Sequence, residues 1–141
     1  MIQTQVGSFR LKVNPSQVEA GLVERYRMAA SGEGTFNGIP VVIVFDHTGQ
    51  VLPDGSEIAT SNGFLRAKEG CDVAFTVGVG GFQCDPDAAP GALQGWQGAV
   101  ALKSRTPNFR ELNGKVFWVE VSLDPQGESV HRWFTLQPDD D

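Results

Sequence analysis

A chain of 141 residues with 17 Gly and 8 Pro, its apolar residues rich in Val and Phe, is about one domain of strands and turns, long enough to bury a core without disulfides or metals. Its formal net charge of −6, with Lys and Arg scattered, argues against a nucleic-acid binder, which needs a basic stripe to neutralise phosphate. The two cysteines, Cys71 and Cys84, are too few for a disulfide scaffold and lack CxxC spacing.

The run Val6-Gly-Ser-Phe-Arg-Leu-Lys-Val13 alternates, which predicts a strand with Phe9, Leu11 and Val13 inward, stopped by Asn14-Pro15-Ser16. Residues 22–30 would suit a helix by propensity, and Ser16 with Glu19 resembles a capping box. Tyr26, Met28 and Ala30 nevertheless alternate against Arg25, Arg27 and Ala29, which reads as strand. Residues 31–38 are expected to form a loop, and Ile39-Pro-Val-Val-Ile-Val-Phe45 a buried central strand with Pro40 near its start. Turns are expected at Asp46-His-Thr-Gly49 and Pro53-Asp-Gly55, and two short strands around Ser61-Asn-Gly63.

Cys71, Val73, Phe75, Val77 and Val79 alternate as the inward face of a long strand, which places Cys71 in the core as a small apolar residue. A bridge to Cys84 would require the following loop to fold back on that strand. That loop, residues 80–95, carries Pro86 and Pro90; residues 96–103 resume a strand with Trp96, Val100 and Leu102 on one face, and residues 104–114 are irregular.

Two β-rich runs, residues 116–123 and 128–136, flank Asp124-Pro-Gln-Gly127, the pattern of a hairpin. Pairing Leu123 with Glu128 sets Phe117 across from Phe134 and Val121 across from Val130 on an apolar face. The same register sets Trp118 across from Trp133, and Glu120 across from His131, on the other face. Trp118, Trp133, Glu120 and His131 are therefore the candidate binding residues, since paired indoles suit a protein partner or sugar stacking. The competing reading has residues 80–95 cover that face. Arg132 falls on the apolar side in this register; a shift by one would bring it outward and part the two tryptophans.

About nine short strands with no convincing helix predict an antiparallel β-sandwich, immunoglobulin-like or jelly-roll-like, over residues 1–136, with an acidic tail at 137–141. The first half resembles a bacterial immunoglobulin-like domain of the kind found in adhesins and phage tail proteins. The resemblance rests on Val13-Asn-Pro-Ser16, Val18-Glu-Ala-Gly21, the 39–45 run, Leu52-Pro-Asp-Gly55 and Ala59-Thr-Ser-Asn-Gly63. It spans residues 9–79, about half the chain, through generic turns. It implies a sandwich and a non-enzymatic adhesive or structural role, and carries over no functional residue.

Chemistry is not visible. His47 reads as a polar turn histidine and His131 as a surface partner of Glu120; no Ser-His-Asp or Cys-His arrangement is positioned around either, with Cys84 the one nucleophile considered. Asp85 with Asp87, or Asp46 with Asp54, lacks the alternating acidic pattern of an EF-hand and reads as turn capping. No catalytic residue, metal or cofactor is expected. Residues 1–10 lack the basic start and apolar stretch of a secretory signal, and no run approaches membrane-spanning length, so a cytoplasmic or virion location is expected. The expected function is a non-enzymatic structural or assembly module, such as a phage particle component or oligomerising protein. Its contact would be an aromatic sheet face or edge, with a protein partner or itself. The alternative is a carbohydrate- or small-ligand-binding module using Trp118 and Trp133, with a glycan as the candidate ligand and neither nucleic acid nor membrane as partner.

Overall fold

The alternating runs pair into eight strands, each antiparallel to the next. The computed structural model describes residues 2–19, 24–82, 87, 95–123 and 128–137. In chain order the strands are β1 (Ile2–Glu19), β2 (Glu24–Phe36), β3 (Ile39–Val51), β4 (Glu57–Ala67), β5 (Val73–Phe82), β6 (Trp96–Lys103), β7 (Val116–Leu123) and β8 (Glu128–Gln137). β8 returns to pair with β1, through Thr4↔Thr135 and Phe9↔His131 among others, and closes an up-and-down barrel. The fold is therefore a closed barrel and not the nine-stranded, immunoglobulin-like or jelly-roll-like sandwich expected. Both architectures share alternation and frequent turns; what separates them is the β1–β8 seam, a pairing across the length of the chain that no local pattern encodes. The last four residues of the expected acidic tail lie outside the described residues, while Gln137 belongs to β8.

Several expected breaks are strand interiors. Residues 31–36 extend β2, and the chain reverses at Asn37-Gly38, where φ is 52° and 78° and Phe36 pairs with Ile39. That is the left-handed two-residue turn that suits the twist of paired strands. Asp46-His-Thr-Gly49 runs within β3 and Ser61-Asn-Gly63 within β4. The expected turn at residues 53–55 is present: Asp54 Oδ1 accepts from Ser56 N at 2.8 Å, and that bond holds its carboxyl below the usual carboxylate range. Asp54 thus caps a turn, as expected of it.

β5 faces the opposite way from the reading of its alternation. Phe75, Val77 and Val79 are 60%, 61% and 55% exposed, while Ala74, Thr76 and Gly78 point into the barrel. An eight-stranded lumen is narrow, so large residues from some strands require small ones from others. Cys71 is an exposed free thiol just before β5 rather than a core residue; Cys84 lies outside the described residues.

One half of the lumen is packed solid. Phe9 and Phe36 stack with ring centroids 6.3 Å apart, Trp133 meets them edge-on at 5.2 Å and 5.6 Å, and Phe117 meets Phe36 edge-on. Phe109, fully buried, enters from the β6–β7 connection and meets Phe36 at 5.8 Å, followed by a 3₁₀ turn at Arg110–Leu112. Asn108 N donates to Asp72 Oδ1 at 3.2 Å and Ser104 Oγ to the Val73 carbonyl at 2.7 Å, which fastens that connection to the head of β5. This end is plugged. Among the described residues no helix is long and apolar enough to cross a membrane.

Candidate functional site in the barrel lumen

Toward the other end the lumen changes character. β2, β3 and β4 carry Tyr26, His47 and Glu57 inward, and the register that pairs Tyr26 with Gly49 and Gly49 with Ala59 brings the three side chains together. Gly49 is required here: a methyl group at its Cα would overlap both the Tyr26 ring and the Glu57 carboxylate. The Tyr26 hydroxyl donates to Glu57 Oε1. His47 Nε2 lies 3.1 Å from the Tyr26 hydroxyl and 3.2 Å from Glu57 Oε1. His47 and Glu57 are 6% and 8% exposed, so both ionisable groups are out of water and depend on one another for hydrogen bonding. Burial, and then the hydrogen bond to Glu57 and its charge, push the Tyr26 phenol far up, which keeps it a proton donor at neutral pH.

β8 contributes a second polar pair, His131 Nε2 and Ser129 Oγ at 3.0 Å. Burial first, and His47 second, pull the His131 imidazole down to about 4, so it is neutral at pH 7. Trp96 closes the wall. Its ring lies over the cross-strand pair Gly80↔Gly98, where a Cβ would come within 2.6 Å of Cζ2 or 2.5 Å of Cη2. It meets His47 edge-on at 6.0 Å. Among the described residues the buried Nε1 atoms of Trp96 and Trp133 have no hydrogen-bond partner, each a loss of about 1–3 kcal/mol if left so.

Between these groups is a cavity of about 120 Å³, bounded by Phe45, His47, Trp96, Val121, His131 and Trp133. A dry cavity of about 150 Å³ accommodates benzene, so this one takes a molecule of small-ring size. Among the described residues no group of three or more His, Cys, Asp or Glu is placed to hold a metal ion.

The four sequence-derived candidates divide between two faces. The β7–β8 register is Leu123↔Ser129, one residue from the expected Leu123 with Glu128, so Trp118 pairs with Phe134, Glu120 with Arg132, and Val121 with His131. Trp133 and His131 are buried in the lumen, whereas Trp118 and Glu120 are on the outside, half-buried. The indoles are on opposite faces, Arg132 is exposed, and no joint Trp118/Trp133 surface exists. The turn that sets the register, residues 124–127, lies outside the described residues. Phe117 and Val119 are buried as expected, but Val130, Phe134 and Leu136 are not on their side. His131 is thus not a surface partner of Glu120, nor is His47 a turn residue. Trp96 does share the inward face with Val100 and Leu102. Tyr26 was legible as inward-facing. His47 follows Ile43 and Phe45 in phase, a signal hidden by the turn-like residues around it, and nothing local marks Glu57 as buried.

Fold and site together define an eight-stranded antiparallel barrel with one plugged end and, toward the other, a ligand-sized, mainly apolar lumen that carries a few polar groups. No protein-family model matches the chain, and no curated protein does. Its fold is shared by solved structures. A protein of unknown function from Clostridium acetobutylicum ATCC 824 superposes with a TM-score of 0.81 at 14% identity, over 97% of each chain. A conserved protein of unknown function from Rhodopseudomonas palustris gives 0.72 at 13% identity, over 95% of this chain and 97% of that one. These likenesses carry the fold alone, and give neither an immunoglobulin-like nor a virion reading any support.

Proposed function

We propose that this protein binds a small molecule in the barrel lumen. The observation that carries the reading is the cluster of buried His47 and Glu57 with half-buried Tyr26, beside a cavity that no side chain fills. A barrel needing only stability would fill that space with side chains; buried ionisable groups around a concave apolar space are what ligand sites contain. Ligand-observed NMR with fragments of about five to seven non-hydrogen atoms tests it, comparing the native chain with Thr76→Leu, which adds volume to the cavity wall, and Trp118→Ala, outside it. Fragments should bind the native chain and Trp118→Ala and lose Thr76→Leu. Binding that ignores a folded Thr76→Leu, or no binding at all, would remove the reading.

A second reading keeps the expected self-association and has its own observation, the apolar outer face. Val77 pairs with Ala101 and Ala101 with Val116; Val79 pairs with Ala99, Ala99 with Trp118, and Trp118 with Phe134. Contiguous exposed apolar faces of this sort mark contact surfaces. Closure leaves no edge strand among the described residues, so the face is the contact in this reading and a second copy its occupant. Sedimentation should show a dimer that Val77→Lys dissociates; a monomer at high concentration would exclude it.

A further inference from the structure

We infer that the lumenal ligand is an uncharged molecule of small-ring size bearing a carbonyl-type oxygen, which accepts a hydrogen bond from the indole N–H of Trp96 or Trp133. The inference rests on the lumenal reading and deepens it. Both indoles line the cavity, both N–H groups are buried without a partner among the described residues, and Trp133 is only 3% exposed. An indole N–H donates and cannot accept, so what completes it must be an acceptor. A carbonyl oxygen, with two lone pairs, can serve either indole or both.

Charge narrows the class further. Among the described residues no Lys or Arg lines the cavity. An anion would enter beside the Glu57 carboxylate, whose neighbours Tyr26 and His47 are already engaged with it. A cation would find that same carboxylate occupied and the remaining wall neutral or apolar. Either charge would be desolvated without a matched partner, which a neutral molecule avoids. The volume of about 120 Å³ limits size to roughly one ring.

The experiment uses cyclohexanone and toluene, matched in non-hydrogen atoms, with the ¹⁵N-labelled full chain. The three indole Nε1–H signals, from Trp96, Trp118 and Trp133, report directly on the donors. Cyclohexanone should move the Trp96 or Trp133 indole proton downfield saturably, and leave Trp118 in place. Replacing the responding residue, Trp96→Phe or Trp133→Phe, should weaken cyclohexanone about tenfold and toluene less than about twofold, the difference one hydrogen bond makes. Equal losses for both probes, or toluene binding with cyclohexanone leaving both lumenal indoles unmoved, would overturn the acceptor assignment while the lumenal site stood. Benzoate or cyclohexylammonium binding more tightly than cyclohexanone would overturn the uncharged class. If none of the four probes binds, the lumenal reading falls and this inference with it.

Discussion

Acidification should destabilise the barrel through His131. The side chain is buried in the lumen, within hydrogen-bond reach of Ser129 and against the Phe45 ring, and burial is the larger cause of its shift, with His47 the smaller. Its imidazole titrates at about 4 when folded, against an ordinary 6.5. Between those values the unfolded chain therefore binds more protons than the folded one. The stability held by neutral His131 is complete above pH 6.5 and is lost as pH falls towards about 4. The limiting slope is about 1.4 kcal/mol per pH unit, which gives roughly 2 kcal/mol between pH 7 and pH 5. For a chain of this size that is a fall in Tm of about 6 °C. Urea unfolding at a series of pH values, followed by tryptophan fluorescence, measures it. His131→Gln, which can keep a polar atom near Ser129 without titrating, should flatten the curve over this range. An unchanged pH dependence in a folded His131→Gln, or a native chain equally stable at both pH values, would refute the burial of a neutral imidazole.

Gly49→Ala should destabilise by about 1–3 kcal/mol, because the added methyl displaces the Tyr26 ring from Glu57 and leaves a buried carboxylate short of a donor; urea midpoints measure this, and a neutral result would contradict the Tyr26–Glu57 contact. Phe109→Ala should cost about 3–5 kcal/mol by opening the plugged end, with fragment binding at the other end retained in the folded variant. Calorimetry and ligand-observed NMR on the same sample separate the two effects, and a loss of under about 1 kcal/mol would show that Phe109 is not part of the packed core.

Much of the strand content was legible locally. Phe9 and Leu11, Tyr26 with Ala30, and Trp96 with Val100 and Leu102 all face where alternation places them, because a two-residue period is set within the strand. Three things were not legible. Closure depends on β1 meeting β8, and a run such as residues 6–13 reads the same in a sandwich or a barrel. The phase of β5 is set by volume: Ala74, Thr76 and Gly78 face inward because rings from other strands fill the lumen, while the larger residues between them go outward. The β7–β8 register differs by a single residue, enough to send Trp118 out while Trp133 stays inside. His47 and Gly49 show the same limit at the site. Their neighbours spell a turn, yet Gly49 is there to admit Tyr26 and Glu57, a requirement visible only once three strands are side by side.

The most direct measurement is a crystal structure of the protein soaked with a cocktail of neutral fragments of about five to seven non-hydrogen atoms. Ordered fragment density enclosed by Phe45, His47, Trp96, Val121 and Trp133 is the expected result. A lumen holding only water, with fragments confined to the outer face around Phe75, Val77 and Val79, would contradict a lumenal site.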